Sequence, residues 1–189
     1  MLDANQAILV VVDVQSRLLP VIHEAEETVG QICRLIKGFR IVGAPIIVTE
    51  QYRLGLGETD QRIQAAVAAK DPRDGREHRF EPLEKMHFSC ALDDNFRATL
   101  EATGRRQVVL CGTESHVCVH QTAIHLIESG YHVEIAADAV SSRSARNREI
   151  ALSRLASEGA KLTSVETAIF EMLEVCGTDP FKKWVRVIR

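Results

Sequence analysis

No apolar run in this 189-residue chain approaches the length needed to cross a bilayer. Its first residues also lack the basic-then-apolar layout of a secretory leader. The expectation is a cytoplasmic protein with no membrane partner. Cysteine is scarce and unpatterned. The five, Cys33, Cys90, Cys111, Cys118 and Cys176, are odd in number, and no two are spaced like zinc ligands or a redox Cys-x-x-C. Neither a disulfide framework nor a metal or other cofactor is expected. An excess of one charge is missing too. The net charge of −3 gives no electropositive footprint for nucleic acid. Internal repeats, low-complexity runs and linkers are also absent.

What is present is ordinary globular composition, 46% hydrophobic and 26% charged, in a length that suits one domain over 1–189. Ala7 to Val12 is an apolar, β-branched run, as in a strand buried on both faces of a parallel sheet, and Asp13 follows it at once. From Glu24 to Val42, apolar residues recur at helical spacing and stop at Gly43. Pro45 to Glu50 then predicts a second buried strand. This β-α-β rhythm repeats along the chain. A short third strand falls within Phe80 to Cys90, where Pro82 restricts it to an edge. A helix starting at Asp93 or Asp94 follows.

The next strand, Val108 to Cys111, breaks at Gly112, and helical spacing resumes at Cys118. Val133 to Ala137 is a further strand ending in Asp138. A helix capped by Ser142 or Ser144 reaches Gly159, Lys161 to Thr163 forms a last strand, and Val165 to Val175 a last helix. Phe181, Trp184 and Val187 anchor a basic C-terminal tail. The weakly patterned stretch 51–79 is a surface excursion or a lid. The fold class is α/β: a three-layer sandwich with a mostly parallel, doubly wound sheet of about six strands.

Three residues carry chemistry. A cysteine at a helix start is placed where a thiolate is favoured, although a buried cysteine is more commonly inert. Asp13 is either a carboxylate on the rim where open α/β sheets bind ligands or a turn cap. Lys85 taken alone is a solvated side chain. The carboxyl ends of parallel strands gather on one side of the sheet, so Asp13, Lys85 and Cys118 could meet there.

On Val-Val-Asp-Val-Gln (11–15), Glu-Lys-x-x-Phe-Ser (84–89) and Gly-Thr-Glu-Ser-His-Val-Cys-Val-x-Gln-Thr-Ala (112–123), the chain resembles the isochorismatase-like cysteine hydrolases. The resemblance spans essentially the whole length. It implies a catalytic triad of Asp13, Lys85 and Cys118, a cis peptide before Glu114, and an oxyanion hole from the backbone N–H groups of Glu114 and Cys118. Where the nicotinamidases of this family carry an Asp-x-His metal set, this chain reads Glu50-Gln51-Tyr52, so no metal site like theirs is expected. Residues 49–57 look most like the isochorismatase-domain-containing branch.

The implied reaction is hydrolysis of a small amide or related C–N bond through a thioester. The partners are a small-molecule substrate and, as a homo-oligomer, further copies of the chain. Gln15, Gln51, Tyr52, Phe88 and His116 are candidates for pocket lining by position. His87, His120 and His125 are read as surface or satisfied core residues, and Cys111 as core. The rival reading is a non-catalytic interaction module that keeps the fold.

Overall fold

The computed structural model describes residues 1–76 and 79–189. Residues 77 and 78, part of the charged excursion, lie outside the described residues. Six strands, β1 (Ala7–Val12), β2 (Ile46–Gln51), β3 (Leu83–Lys85), β4 (Gln107–Thr113), β5 (His132–Ser141) and β6 (Lys161–Thr163), form one sheet in the order β3-β2-β1-β4-β5-β6. Every pairing is parallel. Helices α1 (Ala25–Val42), α2 (Arg53–Leu56) and α3 (Gln61–Ala68) lie within the first half, and α4 (Asp94–Ala102) links β3 to β4. The second half carries α5 (His120–Glu128), α6 (Ala145–Ser157), α7 (Val165–Leu173) and α8 (Asp179–Ile188).

β1 explains the layering. All six of its residues are fully buried, and they alternate between two cores. Leu9 and Val11 join Val29, Ile32 and Phe39 of α1 with Ile169 of α7 and Trp184 of α8. Ile8, Val10 and Val12 join Phe96 and Leu100 of α4 with Leu126 of α5 and Leu155 of α6. Period two along the strand therefore feeds one apolar layer on each face. The three-layer α/β arrangement read from the sequence is the one observed.

The helix starts follow capping chemistry. Asp93, Ser144, Ser164 and Thr178 each accept a backbone N–H of the turn they open, a contact of about 1 kcal/mol apiece. Of the alternatives open in the sequence, Asp93 and Ser144 are the caps.

Three expectations need correction. β5 does not end at Ala137 but runs to Ser141, because a register irregularity opposite Leu110 and Gly112 takes up extra residues. Asp138 therefore does not sit at the strand's carboxyl rim, and its carboxylate accepts the Val165 N–H at 2.9 Å. The basic tail is helical: Pro180 sits in the first turn of α8, where proline is favoured, and Trp184 is fully buried. The peptide before Glu114 is not cis, and no cis bond occurs among the described residues. Two positive backbone angles turn the chain there instead, φ 131° at Gly112 and φ 57° at Glu114. Only glycine fits at 112, since a Cβ there would lie 2.1 Å from the Val12 carbonyl oxygen.

Candidate active site

The strand order reverses between β1 and β4, and the crevice at such a switch point lies outside the carboxyl ends of the strands. Asp13 stands there, one residue past β1. Its backbone is left-handed at φ 53°, a conformation aspartate tolerates better than most residues. The Thr113 hydroxyl donates to the Asp13 carbonyl at 2.6 Å and holds the chain in that turn. The carboxylate, 1% exposed, accepts two hydrogen bonds, from Thr49 Oγ1 on Oδ1 and from Lys85 Nζ on Oδ2, each at 2.7 Å.

Lys85 ends β3, paired with Gln51 of β2, and is only 2% exposed. An isolated buried ammonium is costly by several kcal/mol, so its partners matter. Besides Asp13, Nζ donates to Gln51 Oε1 at 2.7 Å, to the Phe88 carbonyl at 3.2 Å and to the His87 carbonyl at 3.3 Å. Burial pulls the Lys85 pKa down, but the attraction of Asp13, aided by the Cys90 and Cys118 sulfurs, outweighs it and leaves the pKa raised. The ammonium is therefore held charged.

Cys118 lies in a π-helical turn, Ser115–Val119, that leads into α5. Such turns recur at functional sites. Its side chain is 5% exposed. The sequence expectation of a thiolate favoured by a helix start needs revision. Burial pushes the thiol up, the negative charge of nearby Asp13 adds to this, and Lys85 opposes without reversing it. The resting sulfur is a thiol under the influence of a nearby carboxylate, not a free thiolate.

The other expected residues divide into scaffold and surface. Gln15 is fully buried. Its amide donates to the carbonyls of Gln51 at 3.1 Å and Gly57 at 2.6 Å, and its oxygen accepts the Gln51 N–H at 2.8 Å. Gln51 donates on to the Met86 carbonyl at 2.9 Å while accepting from Lys85. The two glutamines thus tie the end of β2 to the loops on either side and aim the ammonium. Tyr52, at φ 39°, and Phe88 are exposed. His116 is held by Ser142 Oγ at 3.0 Å and Asn147 Nδ2 at 3.3 Å. The Glu114 carboxylate accepts the Arg143 backbone N–H and its Nε, each at 3.1 Å, and so fastens the start of the turn containing Cys118 to the segment that follows β5. His125 pairs with Ser89 at 2.9 Å and His120 with Glu158 at 3.0 Å.

Two participants escape sequence reasoning. Thr49, fully buried on β2, donates to Asp13 and accepts the Cys90 thiol at 3.7 Å. Cys90 is fully buried and burial lifts its pKa to about 11, with Asp13 contributing. A strand threonine and an apolar cysteine are too common to stand out. Only the in-register pairing of Val12 with Thr49 brings the hydroxyl beside Asp13.

Comparison with known proteins bears on the family and the fold. The Isochorismatase domain model matches residues 7–167. The isochorismatase domain-containing protein 1 of Danio rerio is 36% identical over 177 residues, which is 94% of this chain but 59% of the fish protein. This chain therefore spans less than two thirds of that relative. A Caenorhabditis elegans structure described as the MAR1 ribonuclease superposes with a TM-score of 0.86 at 32% identity, covering 99% of this chain and 91% of that one. The YcaC gene product of Escherichia coli, described as an octameric hydrolase of unknown specificity, has a TM-score of 0.87 at 22% identity over 99% of this chain and 88% of that one. At that identity it shares the fold alone.

Proposed function

The chain belongs to the isochorismatase family, and from that membership and the buried cluster we propose that it is a cysteine-dependent hydrolase of a small amide or related C–N bond. The observation that carries the reading is the Lys85 ammonium, 2% exposed and 2.7 Å from an equally buried Asp13, whose negative charge is felt by the Cys118 thiol. A core built for stability alone gains little from such a trio, because apolar residues of similar volume usually do as well or better.

In the proposed mechanism Asp13 takes the Sγ proton as the sulfur attacks the substrate carbonyl carbon, and the C=O electron pair moves to oxygen. The N–H groups of Glu114 and Cys118, at the two ends of the turn, receive the oxyanion. Its collapse breaks the C–N bond, and Asp13 returns the proton to the departing amine. Water, deprotonated by the same carboxylate, then cleaves the thioester and restores the thiol. Lys85 keeps Asp13 in place and offsets its charge through both halves. Tyr52, Phe88 and His116 complete the reading as substrate contacts, and Gln15 and Gln51 as their support.

A nuclease reading, suggested by the description of the C. elegans structure, has less behind it on a chain of net charge −3. The description of the E. coli structure supports a homo-oligomer, and light scattering should give a mass that is a multiple of the monomer. Incubation with a panel of small amides should add an acyl mass to the peptide carrying Cys118. Turnover should be lost in Cys118→Ala, and acylation in Asp13→Asn. Full turnover by Cys118→Ala would sink the cysteine mechanism, and an absence of both turnover and acylation in the parent protein across the panel would favour an interaction module.

A further inference from the structure

A groove of about 750 Å3 opens between α1, α3 and α8, and none of Asp13, Lys85 and Cys118 lines it. Its floor is apolar, with Val29 and Cys33 from α1, Ala66 from α3 and Val187 from α8. Gly30 leaves part of the wall bare, since nothing stands within 4 Å of where its Cβ would be, in a helix interior where alanine is normally preferred. The rim is cationic. Seven lining side chains are Lys or Arg and one, Glu26, is acidic, on a chain whose net charge is −3.

Some of these cations are already engaged. Arg62 pairs with Asp60 and Glu26, Arg40 binds the carbonyls of Val67 and Ala69, and Lys183 binds the Pro72 carbonyl. Lys37 and Arg186 have no carboxylate partner among the described residues.

A ligand-sized apolar floor under two uncompensated cations matches a molecule that is itself apolar at one end and anionic at the other. We propose that the groove binds a small amphiphilic anion, a carboxylate on a hydrocarbon tail of medium-chain length. The tail lies along Gly30, Cys33 and Ala66, and the carboxylate is drawn to Lys37 and Arg186. A second copy of the chain is a poorer occupant, because a two-fold contact would set this basic rim against itself.

Calorimetric titration with sodium decanoate should show one saturable site, with decyltrimethylammonium, the same tail under a cation, at least tenfold weaker. Gly30→Phe, which fills the groove, and the double change Lys37→Glu with Arg186→Glu should each weaken decanoate at least tenfold, while Gly30→Ala should retain it. In the unsubstituted protein decanoate should slow iodoacetamide alkylation of Cys33, read by peptide mass, and leave the exposed Cys176 unchanged. This arm decides the matter if Gly30→Phe does not fold. Indifference to the head group, undiminished binding by a folded Gly30→Phe, or an unprotected Cys33 overturns the proposal. So does binding to anionic vesicles without binding of decanoate, or a dimer that Gly30→Phe dissociates while decanoate never binds.

Discussion

A lysine ammonium almost wholly out of water persists only where its surroundings replace the solvent. Here a carboxylate, a side-chain amide and two carbonyls do so. Removing the cation leaves Asp13 buried without its counter-charge. Lys85→Met should therefore cost about 3–5 kcal/mol of stability, read from denaturant midpoints, and should abolish acylation of Cys118. Four acceptors converge here on the single nitrogen of an ammonium, whereas a guanidinium is larger and presents a planar fork, so Lys85→Arg should not restore activity. Thr49→Val keeps the shape but strips the donor from Asp13 and the acceptor from Cys90. We expect a loss of about 1–3 kcal/mol, with kcat falling more than KM changes, while Thr49→Ser stays close to the parent. An unchanged kcat in Thr49→Val would show that Asp13 needs no such support. The contrast between these residues marks what sequence alone could reveal. Lys85 and Asp13 are legible as chemically unusual side chains at strand ends. Thr49 is a common strand residue whose role arises only from the neighbour its register gives it.

Among the elements, those with strong periodicity were legible and those defined by a tertiary partner were not. β1 and α1 lie where their apolar patterns put them. The C-terminal segment reads as a tail because the sequence between Glu174 and Pro180 breaks any helical pattern, yet α8 forms once Trp184 has a core to enter. That indole is fully buried, edge-on to Phe170 at 6.5 Å between ring centroids, and packs near Gly38 of α1. Trp184→Ala should cost about 3–5 kcal/mol, seen as a lowered Tm. A change under about 1 kcal/mol would mean that α8 is only loosely attached. The extra length of β5 was hidden for a related reason, since a strand irregularity depends on the neighbouring strand and leaves no local mark.

For the molecule as a whole, the β-α-β rhythm made the parallel sheet legible, and the rim position of the candidate site follows from that topology. The protonation balance was not legible, because it depends on burial. The thiols of Cys90, Cys111 and Cys118 are all raised, burial being the first cause in each, and Lys85 is raised as well. Each of these groups holds its proton more firmly folded than unfolded. Their contribution to stability is therefore complete below the ordinary thiol value of about 8.5 and declines as pH rises beyond it. The lysine share starts to decline only above about 10.4. Unfolding midpoints should be flat near neutrality for these groups and fall on the alkaline side, and Cys118→Ala should blunt the fall. A midpoint that climbs with alkalinity would contradict this balance.

The two charges of the buried pair arrive from positions 72 residues apart, so each is an intolerable passenger until the other docks. A nascent or damaged molecule with an unseated edge strand would hold a stranded carboxylate and a sulfur with no ordered proton acceptor. Under the proposed mechanism, reactivity is in this way conditional on the edge strand being seated.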